Sequence, residues 1–434
     1  MNDTPKKAFS GRDNGRRRAN GAGGAQTQNG KKNIVYDDAP RSLAQSMPSR
    51  TVLTRGGIDR MFLVLIIVLL CFGTVMIFSA SFAYARSKYG DSLFFIKKQL
   101  LYLAIGLAAM LFCMYVLSYR TIKKMTWFIF VILWILLASV PVIGTTVRGA
   151  KRWIYIGPIS FQPSEFMKFG LIVALAWYMA RLETLDTDHF AKWKKIRYKY
   201  FYPLLIIGVV CATTIIEKHL SGTIILGLIG VAVIFIGGFS WKFLVACGAV
   251  GAVGIAAYIK FAGYATARWL SFIHPENYAD GDAWQVLNGL YALGSGGLFG
   301  VGLGNSREKY LYLPDPQNDF IFAIIGEELG FVGTCAVVIL FALLVWRGFI
   351  IAKNAPDTFS SLLAYGIVSQ VAIQTILNIA VVTHLIPATG VSLPFFSYGG
   401  TSLIMLLAEM GVVLGISRYS YQKRPLAANT EVRI

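Results

Sequence analysis

Charge is scarce in this sequence, and acidic charge is the scarcest. Only 15% of the 434 residues are charged, with 22 Asp and Glu against 41 Lys and Arg, where a soluble domain carries about 25% charged residues. That balance excludes a large water-soluble core. Cysteine is also sparse. Cys71, Cys113, Cys211, Cys247 and Cys335 fall singly inside apolar runs, with no CxxC pair and no His-rich neighbour. This excludes a disulfide framework and a zinc site and leaves the thiols as small buried hydrophobes. No HExxH or GxSxG pattern occurs. The glycine-rich GSGGLFGVGLG at 294–304 lacks the strand–loop–helix setting that a dinucleotide site requires.

What is abundant is apolar length, since 56% of the residues are hydrophobic. Runs of about 20 residues match the roughly 30 Å of hydrocarbon that a helix must cross. The fold class is an all-α polytopic membrane protein. Ten spans are expected near 61–83, 99–118, 126–145, 166–182, 201–217, 222–239, 242–260, 319–347, 359–382 and 402–418. The first run begins near Met61 and is too long for the apolar core of a cleavable signal peptide. An even count puts both termini on one side. The basic connectors at Arg120, Lys123 and Lys124, at 192–199, and at Arg418, Lys423 and Arg424 make that side cytoplasmic. The chain then divides into a disordered basic tail (1–59), a transmembrane domain (60–420) and a short cytoplasmic end (421–434).

The net charge of +19 does not point to nucleic acid. About a dozen Lys and Arg precede the first span, among Gly, Asn, Gln and Ser too polar to fold alone. They are placed to touch anionic lipid.

Three external segments break the pattern. TVRGAKRWIYIGPISFQPSE (146–165) carries Arg148, Lys151 and Arg152 on the side where basic residues are rare. They suit either an anionic ligand near the outer leaflet or unspecific lipid phosphates. The stretch between the seventh and eighth spans holds HPENYADGDAWQ, in which Glu276, Asp280 and Asp282 cluster. A helical piece, WQVLNGLYALGSG, follows it. The third segment, 384–402, is rich in Gly and Pro between two spans. Unwound backbone at membrane depth survives only when buried in protein or lining a cavity, so a re-entrant segment before the tenth span is expected. Charges also lie in or at the ends of spans: Glu165 and Lys168, then Glu217, Lys218 and His219, then Glu327 and Glu328. The last two read as pairs that fix the bundle, whereas Lys168 lies near the outer mouth, where ligand contact is expected. Cations there would hold phosphate or pyrophosphate, and a carboxylate could take a proton from a hydroxyl. Transfer chemistry on a lipid-linked phosphate fits this set, and so does transport of an anionic lipid.

GAKRWIYIGPISFQPSEFMKF (149–169), LGNSREKYLYLPDPQNDFIFAIIGEELGFVG (303–333) and PATGVSLPFFSYGGTS (387–402) resemble the signature segments of the SEDS family, the shape, elongation, division and sporulation proteins. The long polar tail and NDFIFAIIGEELG are more similar to the division member than to the elongation or sporulation members. The resemblance implies a peptidoglycan glycosyltransferase that polymerises lipid II at the outer face of the cytoplasmic membrane. In it the C4 hydroxyl of a GlcNAc unit attacks C1 of a MurNAc unit, and undecaprenyl pyrophosphate leaves. It also implies a class B penicillin-binding protein and other divisome proteins as partners, and a place at the division septum. A lipid II flippase or a recruiting scaffold are the alternatives.

By the same resemblance the essential carboxylate lies in the loop after the seventh span. The position where the family often has Asp holds Tyr278 here, so Asp280 is the first choice for the base, Asp282 the second and Glu276 the third. Arg148, Lys151, Arg152, Gln162, Ser164, Glu165 and Lys168 match positions expected to face the pyrophosphate and the cavity. Ser397, Tyr398, Gly399, Gly400, Thr401 and Ser402 match the late cavity motif. At EKHLSGT (217–223) Lys218 and His219 replace a Pro–Asp pair. No cofactor is indicated, although Mg²⁺ or Mn²⁺ would suit a pyrophosphate leaving group.

Overall fold

Asp59 opens the first long helix. Its carboxylate accepts the Phe62 amide at 3.0 Å, capping one of the four amides that a helix start leaves without a partner. The same carboxylate receives both Arg347 Nε, at 3.0 Å, and Arg347 Nη2, at 2.8 Å. The Asp59 amide donates to Ser417 Oγ at 3.1 Å. One residue thus ties the start of the first helix to two late helices. The computed structural model describes residues 25–28, 31–34, 51–55, 57–147, 150–156, 159–185, 194, 196–261, 263–278, 281 and 283–425. Two compact units are distinguished, 1–54 with 422–434, and 55–421. In the first, Ala25–Gln28 pairs antiparallel with Lys31–Ile34; most of the tail expected to be disordered lies outside the described residues.

The second unit is a helical bundle. Its helices are α1 (Arg60–Tyr89), α2 (Phe94–Tyr115), the short α3 (Tyr119–Lys124), α4 (Thr126–Ile143), α5 (Pro163–Thr184), α6 (Tyr202–Ile216) and α7 (Leu220–Ile236). They continue with α8 (Trp241–Phe261), α9 (Gly263–Ile273), α10 (Trp284–Ser295), α11 (Ile321–Lys353), α12 (Thr358–Val382) and α13 (Gly400–Tyr419). A helix stands at each of the ten expected span positions. Seven of them, among the described residues, are long and apolar enough to cross a membrane: α1, α2, α4, the run Arg197–Ile216, α11, α12 and α13. The other three fall short for separate reasons. α7 has only 17 residues, and the apolar part of α8 is Trp241–Gly254. α5 carries Glu165, Lys168, Arg181 and Glu183. Its middle, Met167–Ala176, is buried throughout, so protein rather than lipid surrounds Lys168, whereas Arg181 and Glu183 are exposed at its far end.

The segment 146–165, expected as a loop, includes a small antiparallel sheet in the order β1 (Thr145–Val147), β2 (Ala150–Ile156) and β3 (Ile159–Phe161). The aromatic and β-branched run Trp153–Ile156 favours a strand. Pro163 then starts α5, since its missing N–H is no loss at a helix's first position. The mostly buried stretch Val391–Phe396 packs between helices as the Gly/Pro-rich composition led one to expect. The ring of Phe396 packs edge-on to Phe72, with centroids 5.3 Å apart.

The glycine-rich stretch 296–302 now has a physical purpose. α11 breaks at Gly330, whose φ of 68° and ψ of −165° lie outside helical space. Across that break Val301 N donates to Glu327 O at 2.9 Å, Gly302 N to Glu328 O at 3.0 Å and Phe331 N to Gly297 O at 2.9 Å. A Cβ on Gly300 would come within 2.1 Å of the Glu328 carbonyl, so this approach needs glycine. The carboxylates complete the clamp. Lys309 Nζ meets Glu328 Oε1 at 2.8 Å with both residues buried, and Ser79 Oγ donates to the same carboxylate at 2.6–2.7 Å. Glu327 accepts from Ser306 Oγ and from the Arg307 amide. Removing one partner of a buried pair leaves an uncompensated charge, at a cost of about 3–5 kcal/mol. Lys309→Met is therefore expected to lower the unfolding midpoint of the detergent-solubilised protein strongly. Adding Glu328→Leu should restore part of the loss, and a single variant as stable as the parent would contradict this role.

Candidate functional site

Residues from the segments after α1, α4, α6, α8 and α12, together with neighbouring helix faces, line a cavity of about 580 Å³. The sheet contributes Arg152, and the first turns of α5 contribute Ser164, Glu165 and Lys168. The turn into α7 adds His219 and Ser221, α9 adds Arg268, α10 adds Gln285, and the irregular stretch before α11 adds Asp315 and Asp319. Ser397, Tyr398, Gly399, Gly400 and Ser402 close the wall.

Two irregular segments are held in place by side chains rather than by regular structure. Asn378 of α12 donates to the carbonyls of Asp319 and Val391, at 2.7 Å each, and the Tyr398 amide donates to Gln317 O at 2.8 Å. Ser397 Oγ accepts the Leu393 amide at 2.7 Å. α10 is tied to the same wall, with Trp284 Nε1 on Tyr312 O at 2.8 Å and Gln285 Nε2 on Pro314 O at 3.2 Å.

On α5, Lys168 Nζ lies 2.7 Å from Glu165 Oε2, one turn away. Lys168 is only 4% exposed, so its charge is balanced inside the protein before any ligand arrives. Beside the pair a second space of about 10 Å³ reaches Gln370 and Gln374, close to the least room a single water needs. Gln370 Nε2 in turn donates to the fully buried Glu409 at 2.8 Å.

Arg152 Nη2 donates to Lys218 O at 3.1 Å. Lys218 has φ of 56°, the left-handed region that costs a residue with a Cβ about 1–2 kcal/mol. Arg152 thereby holds the strained turn that ends α6 and brings His219 to the cavity. Glu217 in this turn is buried; burial pushes its carboxyl up to about 8, against the pull of the Arg152 guanidinium.

The cavity collects Arg152, Gln162, Ser164, Glu165, Lys168, Ser397, Tyr398 and Gly399, all expected from the sequence. It does not collect Lys151 or Thr401. Successive residues of a strand face opposite ways, and Lys151 Nζ caps the Pro141 carbonyl at the end of α4 at 3.0 Å. Thr401 is buried in the first turn of α13. Glu276, the third-choice base, is exposed beside His274. Arg148, Asp280 and Asp282 lie outside the described residues.

Other lining residues carried no expected role. Asp315 and Asp319 stood inside the 303–333 signature without assignment, and Arg268 lies on an amphipathic helix that could have marked it. Among the described residues no group of three or more His, Cys, Asp or Glu is placed to hold a metal ion.

Residues 59–422 match the model of a family of FtsW, RodA and SpoVE, described as "Cell cycle protein". Stage V sporulation protein E of Bacillus subtilis (strain 168) is 41% identical over 368 residues, covering 83% of this chain and 97% of that protein. The probable peptidoglycan glycosyltransferase FtsW of the same organism is 38% identical over 384 residues, covering 84% and 93%. Among solved structures, "Structural coordination of polymerization and crosslinking by a peptidoglycan synthase complex" contains a chain that matches with a TM-score of 0.68. It is 27% identical, covering 84% of this chain and 99% of that one.

The raised Glu217 carboxyl gives a signed expectation. The folded protein keeps this proton up to about pH 8, whereas the unfolded chain releases it near the ordinary glutamate value of 4.5. Its contribution to stability is fully present below pH 4.5 and is lost as pH rises towards 8. Glu217→Gln should therefore flatten the fall in unfolding midpoint between pH 5 and 8. An unchanged slope would show that this carboxyl does not hold a proton there.

Proposed function

The chain belongs to the FtsW, RodA and SpoVE family of cell cycle proteins, the SEDS family, and we propose that it is a peptidoglycan glycosyltransferase that polymerises lipid II. The supporting observation is the cavity. Three signature segments that lie far apart along the chain converge on one space, where cations, carboxylates and hydroxyls line the wall together.

In this reading the cavity opens at the outer face of the cytoplasmic membrane, and both termini lie in the cytoplasm. The lipid-linked diphosphate enters between Arg152 and Lys168, whose charges stabilise the diphosphate as its bond to C1 of the MurNAc unit breaks. The C4 hydroxyl of the acceptor GlcNAc forms the new bond to C1. Its proton passes to the carboxylate of Asp280, with Asp282 the second candidate. Gln285 supports this placement, because it lines the cavity only five residues after Asp280. Tyr278 cannot serve as a carboxylate base. Glu165, paired with Lys168, positions the ammonium group.

The proposed partner is a class B penicillin-binding protein that crosslinks the strands, with other divisome proteins beside it at the septum. The NDFIFAIIGEELG segment and the long polar tail support a division role. A sporulation role is the second reading, favoured by 41% identity to stage V sporulation protein E against 38% to FtsW of the same organism.

Asp280→Asn is expected to reduce lipid II polymerisation by the purified protein with its partner by ~10²–10⁴-fold, the usual share of a general base. Arg152→Met should impair use of the lipid substrate, whereas Lys151→Met should leave it within a few-fold of the parent. If Asp280→Asn and Asp282→Asn each polymerise at the parental rate, the loop-carboxylate mechanism falls. Lipid II translocation without polymerisation would favour a flippase.

A further inference from the structure

A polar path that the proposed mechanism leaves unused runs from the cavity into the core of the bundle. Gln370, Gln374 and Asn378 follow one another at single-turn intervals on α12, so they share one face. Asn378 holds the wall carbonyls of Asp319 and Val391, and Gln374 lines the cavity. Gln370 lies about 6 Å deeper along the helix, four residues at about 1.5 Å each. On α13, Ser402 borders the cavity and Glu409, two turns on, is fully buried. There the two helices meet, with Gln370 Nε2 donating to Glu409 Oε2 at 2.8 Å.

This pair is poorly satisfied. Gln370 Oε1 and Glu409 Oε1 are both buried without a hydrogen-bond partner among the described residues. Lys168 carries three N–H donors, and among the described residues its Nζ donates to one acceptor, Glu165 Oε2. Between these groups lies the second space of about 10 Å³, bordered by Glu165, Lys168, Gln370, Gln374 and Ser402.

We propose that this space is a binding site for one water, which accepts from Lys168 and donates to Gln370 Oε1. Gln370 and Glu409 are then positioning residues for the Lys168 ammonium. The positioning role rests on the reading of Lys168 as a cation that meets a lipid-linked diphosphate; the water site does not.

The direction of one amide carries the argument. A carboxylate oxygen accepts, so Glu409 fixes the N–H end of Gln370 towards α13. The carbonyl end is thereby turned away from Glu409, on a side chain that borders the same space as Lys168. A water settles in so small a space only with about two to four polar partners, and Lys168, Gln370, Gln374 and Ser402 supply both donors and acceptors. Glu165 holds the ammonium from its own helix, and the water holds it from α12. A lysine stem is flexible, and a second anchor removes that freedom before a ligand arrives. Stability alone gives no reason for the pair. Replacing two partners by apolar groups of the same shape is often neutral or stabilising, and buried unsatisfied groups in a native protein require an explanation.

The test has two arms. The first is a structure of the full-length protein at a resolution that shows ordered water, for the parent and for the double variant Gln370→Met, Glu409→Met. Expected in the parent is one water within about 3.2 Å of Lys168 Nζ and of Gln370 Oε1, absent from the double variant. A dry space in the parent overturns the site. The second arm measures lipid II polymerisation with the partner beside the unfolding midpoint. The double variant should unfold no lower than the parent, because it removes two unpartnered oxygens. It should lose about tenfold in kcat, the size of a coupling within one hydrogen-bond network, with KM within a few-fold. Each single change should slow the reaction as much as both together. Glu409→Gln keeps an acceptor for the amide and should stay within a few-fold of the parent. A double variant that fails to fold, that unfolds much lower, or that polymerises at the parental rate overturns the positioning role. If the parent protein itself does not polymerise lipid II, the proposed function falls and the observed water still decides the site.

Discussion

The buried pair between Lys309 and Glu328 is the contact on which the cavity end of this protein depends. It sits where α11 breaks at Gly330 and exchanges backbone hydrogen bonds with the glycine-rich stretch after α10. It fastens the long connection between α8 and α11 to the bundle together with these backbone bonds and with Arg268, which donates to the Ala388 carbonyl at 2.8 Å. With it, residues 313–320 are fixed against α12 and the late irregular segment through Asn378 and Gln317. In hydrocarbon every buried backbone group needs a partner within the protein. Irregular chain therefore survives here only because side chains such as Asn378 and Ser397 satisfy it.

That scaffold makes possible a cavity whose charges are balanced in advance. Lys168 is paired with Glu165, whereas Arg152 donates to the Lys218 carbonyl and, among the described residues, forms no ion pair with a carboxylate within 4.0 Å. The same guanidinium stabilises the left-handed Lys218 turn that delivers His219. A change at Arg152 therefore acts on ligand affinity and on the shape of the wall together.

Much of the site was legible in the sequence because it is encoded in contiguous motifs. The segments around 149–169, 303–333 and 387–402 named most of the lining residues, and the expectation that Glu327 and Glu328 fix the bundle agrees with their buried partners. The roles missed are those set by direction rather than position. Lys151 and Arg152 are neighbours of the same type, and only the strand's alternation separates a capped helix end from the cavity wall. His219 was visible as a polar residue at a span end and as a departure from a motif, but its burial depends on a turn held from the sheet.

The sequence by itself determined the helical class, the positions of the main helices and the family, because hydrocarbon thickness fixes the length of apolar runs and the motifs are local. Only the tertiary structure decided which charges share one space. Residues 88, 152, 168, 219, 315 and 398 are far apart along the chain. Whether each faces the cavity, a helix end or a buried partner is set by packing between helices, which no local pattern records.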